Sequence, residues 1–145
     1  MAPSHDFSST LRKSGLKSTI PRTLVLEVLF RANTPLRIKD VCSRLSKKKS
    51  AIDLVTVYRT IEIFCLKGIV RRVDFGEDAA YYEYNDGKDN HHISCIICKR
   101  RSKIDGCFFP EVESRLKAKI PEFDSILRHS IEFFGMCKKC SKKSR

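Results

Sequence analysis

The segment Asp53-Leu-Val-Thr-Val-Tyr-Arg-Thr-Ile-Glu-Ile-Phe-Cys-Leu-Lys-Gly68 decides the fold of the N-terminal half. Val57, Ile61 and Phe64 recur at i, i+4 and i+7, which sets them on one face of a helix. Asp53 is placed to cap its start and Gly68 to end it. Thr56, Tyr58, Arg59 and Glu62 fall off the apolar stripe. Just upstream, Ile38, Val41, Cys42 and Leu45 repeat at helical spacing and predict a shorter helix. The polar, basic turn Ser46–Ser50 follows it. Two helices joined by a short turn, with polar residues on the opening turns of the second, make a helix-turn-helix. The second helix of such a unit reads base edges in the major groove with its N-terminal residues.

Phe7 to Gly15 reads as a short helix stopped by glycine. Thr19 stands before Ile20-Pro21, with the proline suited to a first helical turn. In the helix that follows, Leu24, Val28 and Leu29 share a face through Phe30, and Asn33-Thr34-Pro35 breaks it. Beyond Gly68, Ile69–Val73 and Ala80–Tyr84 are rich in β-branched and aromatic residues and flank a turn, which predicts the hairpin wing of a winged helix. Asn85–Lys88 reads as a hinge. Past it, strands are expected over Ile93–Ile97 and Ser102–Ile104, and a helix over Pro110–Ile120. Ser125–Phe134 is expected as a strand, because Leu127, His129, Ile131 and Phe133 alternate with Arg128, Ser130 and Glu132. The expected fold class is therefore α+β. A winged-helix domain spans 1–84, the hinge 85–88, and a small α/β domain 89–145.

Charge divides the same way. The 145 residues carry 29 Lys+Arg against 17 Asp+Glu, a net charge of +12. The basic excess lies in 1–72 and in the last eight residues, while 73–137 is mildly acidic. One half is built to meet a polyanion. Arg12, Lys13, Lys17, Arg22 and Lys47-Lys48-Lys49 read as phosphate contacts. Tyr58 and Arg59 are the base-edge candidates, since arginine pairs bidentately with guanine and a tyrosine ring packs on a thymine methyl. No stretch approaches the roughly 18 consecutive apolar residues of a membrane span. Met1–Lys17 lacks the apolar centre of a secretory signal. A cytoplasmic protein without a membrane partner is expected.

Seven cysteines are many for this length, and their number is odd. Cys95-x-x-Cys98 and Cys137-x-x-Cys140 are two knuckles that can close a tetrahedral sulfur site for zinc. Four protein ligands leave no open position, so such an ion holds structure. A lobe of about 60–80 residues buries little core and often needs a metal or a partner subunit. The competing reading, a thiol oxidoreductase using a Cys-x-x-Cys pair, lacks the βαβ surroundings of that motif. Cys42 and Cys65 lie on or beside apolar helical faces and are expected to pack in the core. Cys107 falls in a loop, with no histidine or helix terminus visibly placed to activate it. His91 and His92 precede the first knuckle, and Glu83, Asp89, Asp105, Glu111 and Glu113 are the nearby carboxylates. Mixed imidazole and carboxylate sites suit Zn2+, Fe2+ or Mn2+. His129 is either a core histidine or a further ligand.

These residues together resemble the ferric uptake regulator (Fur) superfamily. The likeness rests on Leu11–Arg22 with Leu24–Leu29, on Thr56-Val-Tyr-Arg-Thr60 and Tyr82-Glu83. It continues in His91-His-Ile-Ser-Cys95 and in Phe134-Gly-Met-Cys-Lys-Lys-Cys140. It covers roughly 10–143, and the C-terminal end looks most like the peroxide-sensing branch. The resemblance implies a homodimeric, metal-responsive repressor that binds a palindromic operator in double-stranded DNA, dimerising through its C-terminal domain. It implies Lys17 in the minor groove, Tyr58 and Arg59 in the major groove, and Cys95, Cys98, Cys137 and Cys140 on structural zinc. Thr56 belongs to the same reading stretch.

The regulatory metal is where the sequence departs from that pattern. The family's hinge site takes a histidine from the DNA-binding domain, and Thr34-Pro35-Leu36-Arg37 has none. Asn90 replaces the first histidine of a His-x-His, leaving Glu83, His92 and Asp105. The second family site keeps Asp89, His91, Glu111 or Glu113, and His129. The departure implies that metal coupling is reduced, or runs through the second site and the Asn85–Lys88 hinge, or that the chain is a winged-helix regulator with structural zinc and a degenerate sensing site.

Overall fold

The computed structural model describes residues 5–48, 50, 52–127, 129 and 131–143. Of the residues read above, Lys49, Arg128 and Ser130 lie outside this set. The chain forms two units, Met1–Asp86 and Gly87–Arg145.

The first unit opens with α1 (Phe7–Lys13), which Asp6 caps by accepting the Ser9 N–H at 3.0 Å. Next are α2 (Ile20–Phe30), α3 (Ile38–Lys47) and α4 (Leu54–Leu66). Asp53 caps α4, accepting the Thr56 N–H at 2.9 Å and the Thr56 hydroxyl at 2.6 Å. Gly68 at φ +68° takes the left-handed conformation that ends α4. The antiparallel hairpin β1 (Val70–Val73) and β2 (Tyr81–Tyr84) completes the winged helix, with Val70 opposite Tyr84. Leu36 extends it on the other edge, exchanging backbone hydrogen bonds with Tyr82 at 2.8 Å.

The core of this unit is apolar and mostly aliphatic. Val57, Ile61 and Phe64 of α4 are buried, as their spacing predicts, and meet Val41 and Leu45 of α3. Helix α2 packs against α1, α3, α4 and β2, so its buried face is broader than the periodicity suggests. Val25 and Leu26 join Val28 and Leu29 in the core, while Leu24 is half-buried and Phe30 is partly exposed. Phe30 instead belongs to an aromatic group with His5, Phe7 and Tyr84, the His5 ring stacking on it at 4.4 Å. Cys42 and Cys65 are half-buried against the core. Burial pushes both thiols above their ordinary pKa.

The second unit contains β3 (His91–Cys95), β4 (Arg101–Ile104), α5 (Phe109–Lys119), β5 (Glu132–Gly135) and α6 (Lys138–Lys143). Its sheet runs β4-β3-β5, with β4 antiparallel and β5 parallel to β3. The apolar run Ile93–Ile97 is not the strand the sequence suggests. The strand starts at His91 and stops at Cys95, because the chain must leave the ladder to turn between the two cysteines. Lys99 closes that turn at φ 58°, donating its N–H to the Cys95 carbonyl. The expected strand over Ser125–Phe134 is likewise shorter, and His129 precedes it.

The two units differ sharply in what they bury. Among the described residues, the buried apolar side chains from Leu11 to Tyr81 all belong to the first unit. The second contributes Cys95 and Cys140, and the other side chains it buries are polar: Asn90, His91, His92 and Ser94. Ile93, Val112, Leu116, Phe133, Phe134 and Met136 are exposed, and α5 buries no residue. No described helix is long and apolar enough to cross a membrane.

Candidate metal centres and nucleic-acid interface

The parallel pairing of β3 and β5 sets Cys95 opposite Gly135, so the second knuckle, two residues further on, arrives beside the first. The Cys137 N–H donates to the Cys95 sulfur at 3.4 Å. Cys98 and Cys137 have their sulfurs 3.7 Å apart, and all four ligand sulfurs lie within 4.8 Å of one another. Tetrahedral zinc with bonds of about 2.3 Å places neighbouring sulfurs about 3.8 Å apart. The cluster therefore fits a structural zinc ion in separation and in donor type. Its electrostatics point the same way. The Cys137 N–H, with that of Cys98, pulls the Cys95 thiol down to about 6. The Cys140 thiol, hydrogen-bonded to Cys137 and crowded by the other sulfurs, is pushed up to about 12. Four thiolates cannot share this space unaided, and a dication relieves that repulsion.

A second cluster joins His91, Cys107 and His129, whose ligand atoms also lie within 4.8 Å of one another. The Cys107 sulfur is 3.1 Å from His91 Nε2 and 3.2 Å from His129 Nε2. It also accepts the Phe109 N–H, at the start of α5, at 3.2 Å. This corrects the sequence reading of Cys107, which has two imidazoles and a helix N-terminus around it. Positions 91, 107 and 129 share no local spacing, and the three side chains meet only through the fold.

The expected carboxylates are elsewhere. Asp89, Asp105 and Glu111 are exposed, and Glu113 pairs with Lys117 at 3.0 Å. None of these joins either cluster. His92 is buried on β3. Glu83 is engaged across the hairpin by Arg71, Nε to Oε1 at 2.6 Å, with the carboxylate largely buried.

On α4 Tyr58, Arg59 and Glu62 face outward, while Thr60 is buried. Tyr58 is half exposed, and Arg59, Leu54 and Val55 are exposed beside it on the opening turns. Thr56 is partly buried, its hydroxyl held by Asp53. Lys17 is exposed, and the Arg22 guanidinium donates to its carbonyl at 3.0 Å, joining the two. Arg12, Lys13 and Lys47 are exposed. Lys48, expected among the phosphate contacts, is exposed and pairs with Glu27 at 3.1 Å.

Known proteins share the sequence pattern and the fold. The model of the Ferric uptake regulator family matches residues 13–134. The peroxide-responsive repressor PerR of Staphylococcus epidermidis is 26% identical over 137 residues, covering 93% of this chain and 88% of that protein. The ferric uptake regulator of Vibrio cholerae superposes with a TM-score of 0.76 at 26% identity, covering 91% of this chain and 100% of that one. The ferric uptake regulator of Francisella tularensis with iron gives 0.73 at 28% identity, covering 88% and 96%.

Proposed function

Because the chain belongs to the ferric uptake regulator family, we propose that it is a metal-responsive transcriptional repressor that binds a palindromic operator in duplex DNA as a homodimer. The observation that carries this reading is the outward face of α4. Its opening turns present Tyr58 and Arg59 to solvent, and the opposite stripe of Val57, Ile61 and Phe64 anchors the helix in an aliphatic core. Tyr58 and Arg59 read base edges in the major groove, Lys17 reaches the minor groove, and Arg22 supports Lys17 through its carbonyl. Thr56 contributes mainly through the cap it makes with Asp53. Such a protein works where the DNA is, in the cytoplasm, and performs no catalysis.

The second unit supplies the pairing surface. Ile93, Phe133, Phe134 and Met136 leave apolar surface uncovered, as do Val112 and Leu116 four residues apart on α5. A second copy of the chain covers such a face. Cys95, Cys98, Cys137 and Cys140 hold the structural zinc, which supplies the cross-link that this unit lacks a core to replace. Metal responsiveness then requires an ion whose affinity differs between the DNA-competent and incompetent states, since a ligand shifts an equilibrium only by that difference. Residues near the second cluster carry this role, with His91 and His129 the two expected ligands that come together.

A second reading is a winged-helix regulator with structural zinc only. The observation that favours it is Arg71, whose guanidinium already neutralises Glu83. One experiment separates the two. Duplexes are selected from a random pool by the purified protein, and affinity for the enriched sequence is measured before and after mild chelation. An inverted repeat is expected, with binding weakened on chelation by a factor below about 100, within the usual range of allosteric coupling. Affinity indifferent to chelation favours the second reading. No enriched sequence overturns both.

A further inference from the structure

We propose that His91, Cys107 and His129 form a second metal site of the thiolate–imidazole type, selective for zinc over iron(II) and manganese(II), with a fourth position open to an exchangeable ligand. The proposal deepens the metal-responsive reading and rests on it for its regulatory meaning. The site itself stands on geometry and donor chemistry.

Three separate parts of the second unit deliver the donors: the first residue of β3, the segment between β4 and α5, and the segment before β5. Their convergence is supported from behind. The Phe109 ring stacks on the His129 imidazole at 4.0 Å and 9°, fixing its plane. Phe133 meets the His91 ring edge-on at 6.4 Å. The Phe109 N–H binds the sulfur at 3.2 Å and orients it, as outer groups around metal ligands do. His91 is buried and the other two donors are half-buried, so the site is sheltered yet reachable from one side.

The donor set decides the metal. Sulfur and two imidazoles are soft to borderline ligands, which suit zinc, while carboxylate oxygens suit manganese and iron(II). The carboxylates that would have made this a hard site, Asp89 and Glu111, stand exposed outside the cluster. Zinc bonds of about 2.3 Å to sulfur and 2.0 Å to nitrogen, at tetrahedral angles, set sulfur and nitrogen about 3.6 Å apart. The observed 3.1 and 3.2 Å require the donors to open by about 0.4 Å, a side-chain adjustment. The Irving–Williams order favours the same choice, with Mn2+ and Fe2+ below Zn2+ at any such site. Three protein ligands leave one tetrahedral position, the arrangement of exchangeable rather than purely structural zinc.

The test uses the full chain with its structural zinc retained and cobalt(II) as the spectroscopic probe of the second site. One further equivalent of cobalt is expected to bind with a near-ultraviolet thiolate-to-cobalt band and the intense visible bands of four-coordination. Zinc should displace it, and manganese at about 100-fold higher concentration should not. Cys107→Ser should abolish the thiolate band, while Cys107→Asp should keep cobalt binding and narrow the preference for zinc over manganese. A wild-type spectrum with no thiolate band, or no second equivalent of cobalt, overturns the proposal even where the variants fold poorly. Loss of operator selection with the cobalt spectrum intact would refute the repressor reading and leave the site standing.

Discussion

Cys98 is the exposed member of the four-sulfur cluster, and Cys98→Ser removes one sulfur and almost no packing. If Cys98 were an ordinary surface residue, the change would move stability by no more than about 0.5 kcal/mol. If it holds zinc, the consequence is of another order. A structural zinc ion is worth roughly 10–16 kcal/mol in small domains, and a whole domain is stable by only about 5–15 kcal/mol. The structure says where that loss falls. The first unit keeps its apolar core from Leu11 to Tyr81, whereas the second has Cys95 and Cys140 as its buried apolar side chains among the described residues. Within one chain, the second unit has no apolar core among its described residues to replace the ion. Amide hydrogen exchange read by mass spectrometry resolves the two. In Cys98→Ser, the amides of β3, β4 and β5 should exchange at nearly unprotected rates and the chelator-resistant zinc should be gone. Those of α2 and α4 should exchange as in the wild type. Protection of the second unit at wild-type level in a zinc-free variant would show that the ion does not hold this unit together.

The remaining predictions concern the first unit. Phe64→Ala empties a fully buried position under α4 and should cost about 3–5 kcal/mol in denaturant unfolding of that unit. Arg59→Ala should lower discrimination at one base pair by about 1–3 kcal/mol, measured as relative affinity for single-base variants of the selected duplex. Lys17→Ala should weaken binding to all duplexes and reduce the slope of log affinity against log salt by about 1. The hydrogen bond from Lys48 holds the Glu27 carboxyl below its ordinary 4.5. A depressed carboxylate stabilises the fold above that value and stops doing so as pH falls through the lowered one. Melting temperature against pH should therefore drop less steeply below pH 4.5 in Lys48→Met than in the wild type.

The first unit was largely legible because its signals are local. Asp53, the Val57–Ile61–Phe64 stripe and Gly68 specify α4 within sixteen consecutive residues, and the hairpin follows from β-branched and aromatic runs around a turn. The misreading there has a tertiary cause: α2 packs against α1, α3, α4 and β2, so Val25 and Leu26 are buried and Leu24 less so. The second unit reads less well because metal ligands override propensity. Ile96 and Ile97 look like strand interior and lie exposed in the knuckle turn. Helix α6 carries lysines and no apolar stripe, yet it forms directly behind Cys137, whose carbonyl accepts the Ser141 N–H. The four-cysteine cluster was visible because each half is a local Cys-x-x-Cys. Cys107 belongs to a cluster with one residue from each of three distant segments, and no spacing rule reaches that.

Extended X-ray absorption at the zinc edge, on the wild-type chain after mild chelation has left only the tightly held ion, asks the central question directly. A single shell of four sulfurs at about 2.3 Å is expected. A shell containing nitrogen or oxygen neighbours, or no zinc left after chelation, would contradict it.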